Sequence, residues 1–129
     1  MTDAALLLES QAARKQAYAP YSNFAVGAAL LAGDGRVFRG CNVENISFGL
    51  TMCAERVAVG QAIAAGATDF IAIAIVSDSA EPVVPCGACR QVLAEFAPNL
   101  RVLSSTLSGA ESEFSLTTLL PAPSQGILR

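Results

Sequence analysis

Seven consecutive apolar residues, Phe70-Ile71-Ala72-Ile73-Ala74-Ile75-Val76, constrain this chain more than any other feature. A strand turns alternate side chains to opposite faces, so an unbroken apolar run must be covered both above and below. Isoleucine and valine favour a strand here over a helix. The run is also far short of the roughly 18 residues that would suggest a membrane span. The rest of the chain therefore has to supply a layer on each side of a central strand.

The flanking patterns provide those layers. After Thr2-Asp3, apolar Leu6, Leu7, Ala13 and Ala17 recur at helical spacing until Pro20, which predicts a helix over 3–17. Residues 24–32 and 36–43 are apolar stretches joined by Gly33-Asp34-Gly35, the signature of a β-hairpin. Asn, Ser, Gly and Thr make 44–51 an irregular loop, and the Ala- and Val-rich stretch 52–65 reads as a mostly buried helix that stops at Gly66. Past the central strand come a loop over 78–85, a helix over 86–96 and a strand over 100–104. A weaker strand at 112–116 and a helical turn near Leu119-Leu120 complete the order. Strands alternating with helices predict an α/β fold, a three-layer α/β/α sandwich around a mixed, about five-stranded sheet. With 129 residues, there is enough chain for one core, so 1–129 is expected to be a single domain.

Composition narrows the class of partner. Eight basic and eleven acidic side chains leave a net charge of −3, with no Lys/Arg cluster to neutralise phosphates, so a nucleic-acid partner is not expected. A small molecule fits better. Charged residues make up 15% against about 25% in average soluble proteins, and 53% of the chain is hydrophobic, which implies that subunits bury surface against one another. Asp3 and Glu9 flank the N-terminal apolar stretch with no basic leader. No signal peptide or membrane partner is expected, and the location read is cytoplasmic, with thiols reduced.

Four cysteines then call for a chemical reading. Cys86-Gly87-Ala88-Cys89 follows Pro85 and opens a predicted helix. By itself it suits a dithiol redox pair, half a zinc site, or packed thiols. Cys53-Ala54-Glu55 also opens a predicted helix. If the two helix starts face each other, Cys53, Cys86 and Cys89 form a three-thiolate zinc site whose fourth position stays open, as a catalytic zinc needs. Glu55, two residues after a ligand, is then placed as a general acid/base, although alone it would read as a first-turn glutamate favouring the helix dipole. Three thiolates leave the zinc shell with a net negative charge, which the neighbouring Arg56 guanidinium could offset. Cys41 reads as a packed strand cysteine. The alternative, a fourth thiolate closing the shell, would make the zinc structural.

C-A-E followed by P-C-x-x-C is the zinc-deaminase signature, with cysteine in place of its usual histidine. Together with Tyr21-Ser22-Asn23-Phe24-Ala25-Val26-Gly27-Ala28, Gly40-Cys41-Asn42-Val43-Glu44-Asn45 and Pro85-Cys86-Gly87-Ala88-Cys89-Arg90-Gln91, it resembles the small, homotetrameric, zinc-dependent cytidine deaminases over about residues 18–121. The resemblance implies one Zn2+ per chain on Cys53, Cys86 and Cys89, proton transfer by Glu55, and charge neutralisation by Arg56. It further implies that Asn42 and Glu44 bind the ribose 3′-hydroxyl and that Phe24 packs on the pyrimidine. The expected reaction is hydrolytic deamination of cytidine and 2′-deoxycytidine in pyrimidine salvage, by a homotetramer. A related deaminase of an antibiotic nucleoside and a structural-zinc module are the alternatives. One departure stands out: the family's aromatic three positions beyond the Leu119-Leu120-Pro121 proline is Ser124 here, so stacking from a neighbouring subunit is in question.

Overall fold

In a computed structural model of the chain, which describes residues 1–125, the elements follow the order expected from the sequence. They are α1 (Asp3–Arg14), β1 (Val26–Ala32), β2 (Val37–Cys41), α2 (Ala54–Ala64), β3 (Phe70–Ser77), α3 (Gly87–Phe96), β4 (Arg101–Thr106), β5 (Glu111–Ser115) and the short α4 (Leu116–Leu119), with a 3-10 turn at Phe48–Leu50. The sheet order is β2-β1-β3-β4-β5. β3 and β4 are parallel, while β1 pairs antiparallel with both of its neighbours and β5 antiparallel with β4. The expected mixed, five-stranded α/β sandwich is the observed fold.

The apolar run does lie at the centre of the sheet, buried from Ala72 onward, with Ile71 exposed near its start. Its alternation sorts the core into two clusters. Ile73 and Ile75 join Ala28, Leu30 and Val102 beneath α2 and α3, whereas Ala72 and Ala74 join Ala29, Leu103 and Leu6 of α1. The differences from expectation lie at element ends. α1 stops at Arg14, where the Gln16 and Ala17 N–H groups bond the Ala13 and Arg14 carbonyls three residues back, so Ala17 falls in a turn after the helix. α2 begins at Ala54 because Cys53 has an extended backbone, as Cys86 has before α3.

Two glycines set how closely the layers approach. A Cβ on Gly27 would lie 2.1 Å from the Ser10 carbonyl oxygen of α1, and one on Gly40 would lie 2.2 Å from the Ala54 carbonyl oxygen of α2. No side chain other than hydrogen fits at either contact. Gly40 thereby lets the first turn of α2 rest directly on β2.

No described helix is long and apolar enough to cross a membrane.

Candidate active site

The strand directions explain why two distant helix starts meet. β2 runs antiparallel to β1, and β1 runs antiparallel to β3, so β2 and β3 point the same way. Each is followed by a helix, and both helices pack on the same face of the sheet. Their N-termini consequently emerge at one end of the sheet. The residue at each helix start is a cysteine, Cys53 before α2 and Cys86 before α3, and Cys89 stands one turn into α3.

The three sulfurs form a compact triangle. Cys53 Sγ lies 3.9 Å from Cys86 Sγ, and Cys86 Sγ lies 3.4 Å from Cys89 Sγ. All three lie within 4.8 Å of one another. Zinc–thiolate bonds of about 2.3 Å at tetrahedral angles require sulfurs about 3.8 Å apart, so this donor set fits one zinc ion. Positive helix-dipole ends further favour thiolates there. A hydrogen bond with Cys89 pulls the Cys53 thiol down to about 5, against the burial that opposes it and with help from Arg56 and Cys86. The same bond and its burial push the Cys89 thiol well up. Cys41 is not in this cluster; it lines a separate groove with Ala12 and Ala13 of α1, Gln16 just beyond it, and Val57 and Gln61 of α2.

Arg56 joins the cluster from the first turn of α2. One guanidinium nitrogen donates to the Thr51 carbonyl at 3.1 Å and faces Cys53 Sγ at 3.8 Å. Its Nε is buried without a hydrogen-bond partner. The acidic neighbour, Glu55, is 6% exposed, and burial pushes its carboxyl up to about 7. Arg90, a residue the sequence reading did not single out, ties the Pro85 carbonyl to that of Leu119 through Nε and Nη1.

Beside the cluster opens a cavity of about 410 Å³. Glu55, Cys53 and Ala54 line it together with Phe24, Asn42 and Glu44, so five of the eight residues expected at the site share one space, while Cys86, Cys89 and Arg56 belong to the thiol cluster beside it. Asn42 and Glu44 lie in an extended segment beyond β2, and their two-residue spacing turns both side chains to the same side. The Asn42 carboxamide donates to the Phe24 carbonyl at 2.8 Å and accepts from the Val26 N–H at 2.9 Å. Glu44 accepts from the N–H groups of Tyr21 and Ser22 at 2.9 and 3.1 Å. The Ser22 hydroxyl, ahead of these N–H bonds and against desolvation, holds the Glu44 carboxyl below its ordinary value.

The sequence reading missed Ser22, Phe48, Thr51 and Ile75 as wall residues, along with Val83 and Val84. Ile75 was visible only as core, and the two valines lie in a loop without a periodic pattern. Phe48 is an aromatic at the cavity, whereas Ser124 is exposed and does not line it. The Gln91 side chain holds the preceding Pro123 carbonyl at 3.1 Å, and Gly126 of the same tail lies outside the described residues.

Comparison with known proteins agrees with this geometry. Residues 1–104 match the family described as the cytidine and deoxycytidylate deaminase zinc-binding region. A cytidine deaminase of Halalkalibacterium halodurans is 52% identical over 117 residues, covering 90% of this chain and 89% of its own. One from Sporosarcina psychrophila is 50% identical over 117 residues, covering 90% and 86%. The crystal structure of the Burkholderia pseudomallei cytidine deaminase superposes with a TM-score of 0.92 at 52% identity, covering 95% of this chain and 98% of that one. The chain belongs to the zinc-dependent cytidine and deoxycytidylate deaminase family.

Proposed function

We propose that this protein hydrolyses the exocyclic amine of cytidine and 2′-deoxycytidine, giving uridine or 2′-deoxyuridine and ammonia. The observation that carries the reading is Glu55, buried in the wall of a nucleoside-sized cavity and two residues from a thiol triangle of zinc dimensions. Cys53, Cys86 and Cys89 hold one zinc per chain. When bound, zinc polarises a water and lowers its pKa, which makes a nucleophile available at neutral pH. Glu55 takes a proton from the attacking water and passes it to ring N3 as oxygen bonds to C4. It then carries the remaining hydroxyl proton to the amine, which leaves as ammonia while the C4 carbonyl forms. Arg56 faces Cys53 and offsets the negative charge of three thiolates.

Phe24 lies against the pyrimidine, while Glu44 and the free N–H of Asn42 take the sugar hydroxyl. A substrate lacking that hydroxyl forgoes these bonds, so nucleosides are selected over cytosine. Ile46, Phe48 and Leu50 are 83%, 65% and 69% exposed, apolar side chains close in sequence that suit burial between the subunits of a homotetramer, and Phe48 also lines the cavity. We assign the enzyme to the cytoplasm and to pyrimidine salvage.

The test follows the ultraviolet absorbance of cytidine with purified protein, beside Glu55→Gln. Wild type converts cytidine to uridine, whereas Glu55→Gln keeps zinc and fold and loses about 10²–10⁴-fold in turnover. Near-normal turnover by the variant would remove Glu55 from the mechanism. Light scattering of the same preparation checks the tetramer.

A further inference from the structure

One hydroxyl at the cavity mouth connects the two sides of the substrate space. Ser22 Oγ donates to Glu44 Oε2 at 2.5 Å and accepts from the Phe24 N–H at 3.0 Å. Between them, Asn23 has φ 57°, a left-handed conformation that asparagine tolerates and that folds the loop back on itself. Phe24 is thus fixed at both backbone ends, its N–H by Ser22 and its carbonyl by Asn42. The other Glu44 oxygen is occupied by backbone N–H groups of the same loop. Removing the Ser22 hydroxyl would leave those backbone bonds in place. What it would release is the orientation of Oε2 and its link to Phe24.

We propose that Ser22 is a positioning residue for substrate recognition, its hydroxyl coupling the Glu44 carboxylate to the Phe24 backbone and so setting the spacing between sugar contact and base contact, a role that rests on the assignment of Glu44 and Phe24 given above. A hydrogen bond to a charged group is stronger than a neutral one, so the link is suited to holding a carboxylate in one orientation. Ser22 itself is exposed, so the change to alanine opens no core cavity.

The test compares wild type, Ser22→Ala and Ser22→Thr on cytidine and on 3′-deoxycytidine, with zinc content and melting temperature measured for each. Ser22→Ala should raise KM for cytidine about tenfold, with much less effect on kcat. On 3′-deoxycytidine, which lacks the hydroxyl that Glu44 would hold, the same substitution should change kcat/KM by no more than about twofold. Ser22→Thr, which keeps the hydroxyl, should restore most of the cytidine KM. Equal losses on both substrates, or no loss on cytidine, would overturn the proposal while leaving the assignment of Glu44 intact. Loss of zinc or of folding in Ser22→Ala would point to a structural role and overturn it too. A wild type that does not distinguish the two nucleosides would remove the Glu44 assignment first, and the proposal with it.

Discussion

The two faces of the sheet are built from the same strands but do different work. On the α1 face, Leu6 of the helix packs on Leu103 and the small side chains of Ala29, Ala72 and Ala74. Under α2 and α3, a larger core seats two helices side by side, with their N-termini at one end of the sheet. The first face closes the sandwich. The second also brings three thiols, a carboxylate and a guanidinium together, with Cys53 and Glu55 in the wall of a cavity. Chemistry has gathered where two helix starts converge, because their unpaired N–H groups and dipole ends favour the anionic sulfurs that zinc requires.

This division can be broken by substitutions, and the largest effect is expected at the thiols. Cys89→Ala should lose bound zinc and all measurable deamination, whereas Cys41→Ala, outside the cluster, should retain about one zinc per chain in metal analysis. Zinc loss from Cys41→Ala would revive the structural-zinc alternative. Gly40→Ala tests the contact between β2 and the first turn of α2. Its Cβ would meet the Ala54 carbonyl and the Ala58 nitrogen, so the Cys53-Glu55 segment has to shift. The expected cost is about 1–3 kcal/mol in denaturant unfolding, with about 10²-fold lower kcat/KM from misplaced catalytic groups.

On the other face, Leu6→Ala should cost about 2–5 kcal/mol of stability by leaving a cavity beneath α1. Cytidine turnover well below its melting transition should stay within about twofold, since that cluster touches no wall of the cavity. A large fall in kcat would show that the two faces are not separable. The smallest effect concerns acid. Glu44 titrates below its ordinary value of 4.5 in the folded protein, so its contribution to stability is complete above that pH and is lost as pH falls through the lowered value. The melting temperatures of wild type and Glu44→Gln should differ by a constant amount from neutrality to about pH 5 and converge below it.

Much of the site was legible because its chemistry is written in residue type and short spacing. A cysteine pair three apart at a helix start can reach one ion, and a carboxylate two residues after a third cysteine can reach its neighbourhood, whatever the surrounding fold. Ser22 was not legible in that way. It and the following Asn23 look like ordinary loop residues, and the carboxylate that Ser22 holds lies 22 residues away in sequence. Phe48 was hidden for a similar reason: nothing local separates a cavity aromatic from a loop aromatic.

The sequence by itself determined the helices, the strands and the faces they bury, because periodicity is a local property that each segment carries alone. It also determined which side chains could bind zinc and move a proton. Only the tertiary structure decided that Cys53 would stand beside Cys86, 33 residues away. That meeting depends on β2 and β3 running the same way and on α2 and α3 sharing one face of the sheet. Both are outcomes of strand order and packing, which no single segment encodes.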